Sequence, residues 1–297
     1  MADKGLSDRV ADILQDVDAK MSVFREDSEI SKLNKTKAGV SFALSDDLSK
    51  VLKTEKKINK ESNGAFDPAI GPLIDLWGFG PGHKFASPSE EKLSEVKSYS
   101  RLDKLKFSKD YKKVIKKDPR TSLNLSAIAK GYAVDRIAES LEELGFTDYV
   151  VEIGGELRLS GRRDDKGELW NIGIGVPLKY SKGNALVMEI SDYAVATSGD
   201  YRNFIEEDGK TFSHTISPQT GQPVKNDLAS VTVFAPTCME ADAYATAIMA
   251  LGKDKGKALA NKLKLPVILF IHNQKGGFDM ESSKQAKQLI GLENGSN

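Results

Sequence analysis

The sequence predicts an α+β protein, and a central parallel sheet is the alternative. Segments with helical spacing of apolar residues alternate irregularly with short strand-like segments. The strand-like segments are mostly brief and are separated by Gly-rich breaks, which is typical of antiparallel pairing. This mixture favours α+β over a regular βαβ order.

Five segments have the periodicity and end signals of helices. The first carries Leu6, Val10, Ile13, Leu14, Val17 and Met21, and the second runs from Ser45 to a stop at Asn63 and Gly64. "SPSEEKLSEVKS" predicts a short capped helix, and "SAIAKGYAVDRIAESLEELGF" a longer one that Gly145 ends. The fifth is "MEADAYATAIMALG", residues 239–252, and another helix is expected near "KGKALANKLK".

Strands are predicted between these helices. "KLKFSKDYKKVIKK" indicates a hairpin and "TSLNL" a short strand. "DYVVEIGGELRLSG", "LWNIGIGVP", "ALVMEI", "ASVTVFAP" and "PVILFIHN" are strand-like, and short strands with turns are expected over residues 193–224. "AFDPAIGPLIDLWGFGPGHK" is rich in aromatic residues and poor in charge, so we expect a loop packed on a core or on a flat ligand.

Composition describes a soluble globular chain of 297 residues, enough for one large domain or two smaller ones. Lys plus Arg and Asp plus Glu both number 43, so net charge gives no reason to expect nucleic acid or an anionic membrane as partner. One cysteine excludes an intramolecular disulfide, and with three histidines it makes a structural zinc cluster improbable. The sequence shows neither a transmembrane stretch nor a signal peptide.

The helix at 239–252 places a carboxylate and a hydroxyl, Asp242 and Thr246, on the same face one turn apart. Thr237 and Glu240 form a capping-box pattern, which accounts for Glu240 but not for Asp242 beyond the first turn. Thr246 could simply bond the carbonyl four residues before it. Alternatively the pair holds Mg²⁺, which prefers hard oxygen donors and often bridges to a phosphate.

The usual phosphate-binding motifs are missing, since neither GxxxxGK[ST] nor a helix-opening GxGxxG occurs. "NLSAIAKGYAVD" offers a helix start at Ser126 whose free amides could face an anion, with Lys130 in or just past the first turn. A solvated surface lysine is the alternative. His214 lies in a strand that runs into a turn, as an ordinary polar residue or as a base near neutral pH. His83 and His272 have no such setting.

Six segments resemble, in order, the motifs of ApbE-type FAD:protein FMN transferases. They are "MSVFREDSEISKLN", "GAFDPAIGPLIDLWGFG", "LNLSAIAKGYAVDRI", "VEIGGELRLSG", "SGDYRNFIEEDGKTFSHTISPQTGQPV" and "SVTVFAPTCMEADAYATAIMALG". The resemblance spans roughly residues 6–275 and implies a T-fold-like α+β architecture with a smaller α/β lobe. It implies one flavin transferase domain over 1–297, with FAD between two lobes.

The resemblance also implies an activity. Such enzymes use Mg²⁺ to transfer FMN from FAD, through a phosphoester bond, to a Thr or Ser hydroxyl of a target flavoprotein, and they release AMP. A subunit of a membrane redox complex is one example of such a target. Positions matching metal ligands are Ala127, through its carbonyl, Asp242 and Thr246; those matching FAD contacts are Phe24, Ala65, Phe66, Asp67, Asn124, Lys130 and Ile216. His214 matches the residue proposed to activate the acceptor hydroxyl.

Alternatives and departures accompany the resemblance. The alternatives are a Mg²⁺-dependent FAD pyrophosphatase and a flavin-binding protein without turnover. The family's N-terminal "TMGT"-like strand has no counterpart before Gly5, which would remove one wall of the flavin pocket. Asn124 stands where many members have Asp, which keeps an acceptor but removes a charge. The family implies a periplasmic, lipid-anchored protein, although no lipobox cysteine lies near this start.

Overall fold

The computed structural model describes residues 3–82, 85–175, 183–199, 204–207 and 210–290. The chain divides into two compact units, one from residues 1–129 with 216–223 and the other from 130–215 with 224–297. The described part of residues 193–224 contains short strands and turns, as predicted, and the rest of that segment lies outside the described residues. Nowhere in the described ranges is a helix both long enough and apolar enough to span a membrane.

The first unit combines helices with one small sheet. Its helices are α1 (Asp3–Met21), α2 (Glu29–Asn34), α3 (Asp46–Glu61), α4 (Gly71–Leu76) and α5 (Glu90–Tyr99), with 3-10 turns at Pro68–Ile70 and Leu102–Lys104. Strands β1 (Ser41–Ala43), β2 (Leu105–Phe107) and β3 (Lys113–Lys116) pair antiparallel in the order β1-β3-β2. The predicted hairpin is therefore confirmed as β2 and β3.

Helix α3 illustrates how local sequence determines this unit. The Ser45 side chain accepts a hydrogen bond from the amide of Leu48 and caps the helix. Asn63 and Gly64 follow its end with positive φ values of 53° and 78°, which stops the helix as predicted. Its apolar residues at helical spacing are fully buried, among them Leu52 and Ile58.

The second unit contains most of the strands. The helices are α6 (Ala129–Glu143, which begins one residue before the unit), α7 (Cys238–Leu251), α8 (Lys253–Leu263) and α9 (Lys284–Leu289). The strands are β4 (Tyr149–Ile153), β5 (Glu156–Ser160), β6 (Trp170–Gly175), β7 (Asn184–Ile190), β8 (Tyr193–Gly199), β9 (Phe204–Glu207), β10 (Lys210–Ser213), β11 (Leu228–Ala235), β12 (Val267–His272) and β13 (Phe278–Ser282). Pairs β6–β7 and β9–β10 are separate antiparallel ribbons.

Among the described residues the main sheet has six strands in the order β13-β12-β11-β8-β5-β4, and every neighbouring pair is antiparallel. The alternative of a central parallel sheet is therefore wrong. Consecutive residues face opposite sides of a strand. Val195 and Phe234 join a core that includes residues of β6 and β7, whereas Ala196 and Ala235 lie against Ala241 of α7. These small residues allow α7 to pack closely on the sheet.

Three local predictions were wrong. Residues 121–125 form no strand, because the side chain of Asn34 replaces a strand partner by donating to the carbonyl of Leu123 and accepting from its amide. The following helix begins at Ala129 rather than Ser126, because residues 126–128 form a turn in which the amide of Ile128 donates to the carbonyl of Leu125, three residues before it. A loop was predicted over 65–84, but the segment contains a 3-10 turn and α4.

That segment does pack on a core, as one of the two alternatives predicted. Phe66, Leu73 and Trp77 are buried, and the indole Nε1 of Trp77 donates to the carbonyl of Gly221 at 2.8 Å. Its last two residues, 83 and 84, lie outside the described residues. The aromatic residues of this segment therefore stabilise the first unit.

One buried acid in the first unit has an electrostatic cost. Glu55 of α3 is completely buried, and neither carboxylate oxygen has a hydrogen-bond partner among the described residues. Burial raises its pKa well above the usual range, and nearby Asp67 raises it further. Burial also raises the pKa of Asp67 to about 6, although two backbone amides that donate to it oppose the shift. Stability contributed by such groups is present at low pH and is lost as the pH rises through their folded-state pKa values.

Replacing Glu55 with an apolar side chain of similar length should therefore stabilise the protein at alkaline pH. We expect Glu55→Met to raise the free energy of unfolding at pH 8 by about 1–3 kcal/mol, because a buried polar group without a partner is removed. Urea unfolding at pH 8 and pH 5 measures the effect, which should shrink at pH 5. Glu152→Gln, at an exposed glutamate, is the control. Equal or lower stability of Glu55→Met at pH 8 would contradict the interpretation.

Candidate functional site

Asp242 and Thr246, the residues predicted to bind a metal, lie one turn apart on helix α7. Thr237 caps the helix by accepting from the amide of Glu240, so the predicted cap is confirmed. Asp242 is 5% exposed, and Thr246 lies one turn further along the same helix. The Thr246 hydroxyl is 3.2 Å from the hydroxyl of Ser198 on β8. The cap thus accounts for Thr237, through the backbone amide of Glu240, but not for Asp242.

The side chain of Asp242 instead contacts the start of another helix. Its Oδ2 accepts from the amide of Gly131, in the first turn of α6, at 3.1 Å. In return, the carboxylate of Asp135 on α6 accepts from the amides of Cys238 and Met239, the first residues of α7, at 2.8 and 2.9 Å. We call these three bonds the reciprocal caps. They satisfy amides at each helix start that have no partner within their own helix.

Gly131 makes this arrangement possible because the two helix starts touch through their backbones. A Cβ atom at Gly131 would lie 2.3 Å from the carbonyl oxygen of Cys238 and 2.8 Å from the amide nitrogen of Met239. No side chain fits at these distances, and neither neighbour is a flexible side chain that could move away. The position therefore requires glycine for close packing.

Lys130, the residue before Gly131, is paired with an acid that the sequence did not single out. Its Nζ lies 2.6 Å from Oε1 of Glu156, which is almost wholly buried, whereas half of the lysine side chain is exposed. Glu156 begins β5 directly after Gly154 and Gly155, whose φ values of 63° and 102° turn the chain from β4. Oε2 of Glu156 is buried and has no hydrogen-bond partner in the described part of the chain.

The two acids influence each other electrostatically. Burial, and secondly the negative charge of Glu156, raise the pKa of Asp242 to about 7, although Lys130 and the Gly131 amide act in the opposite direction. A cation beside Asp242 would favour its ionised form. Carboxylate and hydroxyl oxygens are the donors that Mg²⁺ prefers, and an unsatisfied buried oxygen lies in the same cluster. These residues therefore fit a divalent cation.

The candidate metal ligands of this cluster are carboxylate and hydroxyl oxygens. The described residues contain no group of three or more His, Cys, Asp or Glu side chains arranged to hold a metal ion. A transition-metal site of the usual nitrogen and sulfur ligands is therefore not indicated for this part of the chain. A magnesium site, which takes few protein ligands and completes its shell with water and phosphate, needs fewer acidic groups.

The first unit holds most of the predicted FAD contacts. Phe24 is 71% exposed, which leaves an aromatic face open, whereas Ala65 and Phe66 are buried. Asp67 accepts from the amides of Ala69 and Leu102 at 2.9 and 3.1 Å, so its carboxylate also fixes the local backbone. Asp67 lines a polar cavity of about 660 Å³ within this unit.

Asn124 lies beside that segment. The backbone amide of Asn124 donates to the carbonyl of Pro68, the residue after Asp67, at 2.8 Å. The side-chain Oδ1 of Asn124 accepts from the backbone amide of Ser126 at 2.9 Å. Both Asn and Asp provide such an acceptor, so the turn does not depend on the charge that many family members carry here. Ala127 follows in this turn, half-buried, before α6 begins.

The segment 216–223 contributes Ile216, which is buried and pairs with Pro223 across a short antiparallel bridge. His214 lies two residues earlier, just after β10, and is half-buried in the second unit. His272 ends β12 and its ring lies 5.2 Å from that of Phe278, while His83 is outside the described residues. His272 therefore has an ordinary structural setting, as predicted.

The predicted site residues are thus divided between the units. Asp242 and Thr246 share one face of α7. The amide of Gly131 donates to Asp242 and so links it to the turn that carries Lys130. The amide of Asn124 donates to the carbonyl of Pro68, the residue after Asp67. The sequence analysis missed the roles of Asp135, Glu156 and Ser198. Two signals were available: a charged residue within the apolar pattern of α6, and a glutamate directly after a Gly-Gly turn.

Comparison with known proteins identifies the family to which the chain belongs. The model of the ApbE family matches residues 2–269. The FAD:protein FMN transferase of Haemophilus influenzae is 40% identical over 282 residues, covering 93% of this chain and 81% of that protein. The protein of the same name from Vibrio cholerae is 38% identical over 282 residues, covering 94% and 83%.

Solved structures agree with these relatives. The apo form of the Pseudomonas stutzeri flavinyl transferase ApbE matches with a TM-score of 0.89 and 35% identity, covering 98% of this chain and 90% of that one. The flavin transferase ApbE of Vibrio cholerae matches with a TM-score of 0.88 and 36% identity, covering 97% and 91%. The family resemblance and the ApbE-type α+β fold predicted from the motifs are therefore confirmed.

The contact at Gly131 gives a stability prediction. We expect Gly131→Ala to lower the free energy of unfolding by roughly 1–3 kcal/mol or more, because the new methyl group forces α6 and α7 apart and strains the reciprocal caps. Gly5→Ala, in the open surroundings of α1, is the matched control and should be neutral or slightly stabilising. Urea unfolding of both variants measures the difference. Wild-type stability of Gly131→Ala would show that the helix starts are not held this closely.

Proposed function

The chain belongs to the ApbE family, and from that premise we propose that it is an FAD:protein FMN transferase that requires Mg²⁺. In the proposed reaction the hydroxyl oxygen of an acceptor Thr or Ser forms a bond to the phosphorus of the FMN half of FAD. The bond from that phosphorus to the AMP phosphate oxygen breaks, AMP leaves, and the hydroxyl proton passes to a base. FMN is then joined to the acceptor protein by a phosphoester.

The buried carboxylate of Asp242, set one turn before Thr246 and fixed by the Gly131 amide, is the observation that supports this proposal most directly. Asp242 and Thr246 would hold the cation, with the carbonyl of Ala127 as the third donor implied by the family resemblance. Mg²⁺, when bound, would offset negative charge on the pyrophosphate and on departing AMP.

Other residues have roles that need no cation. Lys130 lies in the first turn of α6 and has a half-exposed side chain, so its positive charge and the helix start would both attract an anionic phosphate. Phe24 offers an exposed ring on which a flavin or adenine could stack. His214, through an imidazole nitrogen, is the proposed base that accepts the hydroxyl proton of the acceptor.

The acceptor is proposed to be a flavoprotein that presents Thr or Ser, such as a subunit of a membrane redox complex. A periplasmic location with a lipid anchor is proposed on the same ground. Both proposals are supported by the family resemblance. Neither partner nor location follows from the charge of the chain, which is zero overall.

The proposal is tested by measuring AMP release from FAD with Mg²⁺ or chelator, with and without an acceptor domain that carries a threonine. We expect AMP to require both Mg²⁺ and acceptor, and the acceptor to gain the mass of FMN. Equal AMP release without acceptor would identify a pyrophosphatase instead. Bound FAD without any AMP would identify a binding protein and overturn the enzyme assignment.

Removing the Asp242 charge should abolish most of this activity. We expect Asp242→Asn to reduce acceptor-dependent AMP release by roughly 10²–10³-fold, the range typical when a group that stabilises transition-state charge is lost. Asp254→Asn removes an exposed carboxylate from the neighbouring α8 and should leave the rate unchanged. Full activity of Asp242→Asn would contradict the proposed cation site.

A further inference from the structure

Glu156 is the unusual acid of the second unit. It is 2% exposed, yet Oε2 has no hydrogen-bond partner among the described residues. A buried oxygen of this kind costs free energy, because it gives up water without gaining a replacement. Lys130 satisfies Oε1 only, so the ion pair does not explain the second oxygen.

The backbone places this acid next to the proposed cation ligand. Lys130 and Gly131 are consecutive residues in the first turn of α6: the first binds Glu156 through its side chain, and the second binds Asp242 through its amide. The strand that begins at Glu156 also packs against α7, which carries Asp242. Two buried carboxylates thus meet at one helical turn.

The charges of this cluster do not balance. Among the described residues of this cluster, the two carboxylates share the single ammonium group of Lys130, whose side chain is half exposed to solvent. With both acids ionised, the cluster has a net charge of about −1 in surroundings from which water is largely excluded. A divalent cation would supply the missing positive charge and give Oε2 a partner.

We propose that Glu156 is the second carboxylate of the divalent-cation site, holding the cation through Oε2, directly or through one water, while Oε1 keeps Lys130 in place. This inference rests on the proposed function, which supplies the cation at Asp242 and Thr246. Glu156 therefore has two tasks, one for each oxygen. Lys130 keeps Oε1 occupied, so Oε2 is the oxygen left for the cation.

The test measures binding of Mn²⁺ alone to the full chain, from the electron paramagnetic resonance signal of free Mn²⁺. We expect Glu156→Gln to weaken binding by about 10–100-fold, the range typical when a group that supports a metal site is changed. Glu152→Gln removes the same charge from an exposed position in β4 of the same hairpin and should change the dissociation constant less than about twofold. Asp242→Asn should abolish binding.

Lys130→Met separates this proposal from a role of Glu156 in positioning the lysine alone. If Glu156 holds the cation, the loss of Lys130 leaves Mn²⁺ binding intact or makes it tighter, because a competing positive charge has been removed. If Glu156 acts only through Lys130, Glu156→Gln and Lys130→Met should weaken Mn²⁺ binding to the same extent. That result would overturn the proposal. If Glu156→Gln fails to fold, as thermal unfolding in chelator would show, Glu156→Ala, which leaves room for water, takes its place in the same comparison, and wild-type Mn²⁺ affinity of that variant would overturn the proposal.

The outcomes distinguish this inference from the proposed function. Wild-type affinity in Glu156→Gln together with lost binding in Asp242→Asn would overturn the role of Glu156 and leave the Asp242 site standing. Absence of Mn²⁺ binding in the wild type, or unchanged binding in Asp242→Asn, would overturn both. Weakened binding in Glu156→Gln with retained binding in Lys130→Met supports both.

Discussion

Two helices that begin side by side organise the second unit, and each supplies a carboxylate to the first amides of the other. Asp135 of α6 holds the start of α7, and Asp242 of α7 holds the start of α6. Amides at a helix start otherwise depend on water or on local caps, so these bonds fix the two starts relative to each other. The positions of Lys130 and Thr246 follow from this arrangement, since each lies within one turn of a bonded residue.

Three buried acids of this unit differ in how completely they are satisfied. Asp135 has two amides and Arg158 as partners, whereas Asp242 accepts from one amide, and one oxygen of Glu156 has no hydrogen-bond partner among the described residues. Burial raises the pKa of both Asp135 and Asp242. Incomplete satisfaction of buried polar groups is rare in folded proteins and is concentrated at functional sites. The least satisfied acids lie where the cation is proposed.

The sequence predicted those features that depend on local pattern. Helix α7, the Thr237 cap and the shared face of Asp242 and Thr246 follow from 3.6-residue spacing and from a four-residue motif. The roles of Asp135 and Glu156 depend on partners about 100 and 26 residues away, which no local pattern reveals. A distant partner also explains the wrong strand prediction for residues 121–125. The side chain of Asn34, 89 residues from Leu123, binds this segment, and no local pattern reveals that contact.

The central claim is that Asp242 and Thr246 hold a divalent cation beside the start of α6. Anomalous scattering from Mn²⁺ in crystals of the wild-type protein tests it most directly, because the peak locates the ion without reference to activity. We expect one strong peak within bonding distance of the Asp242 carboxylate and the Thr246 hydroxyl. A peak bonded to neither group at saturating Mn²⁺ would contradict it.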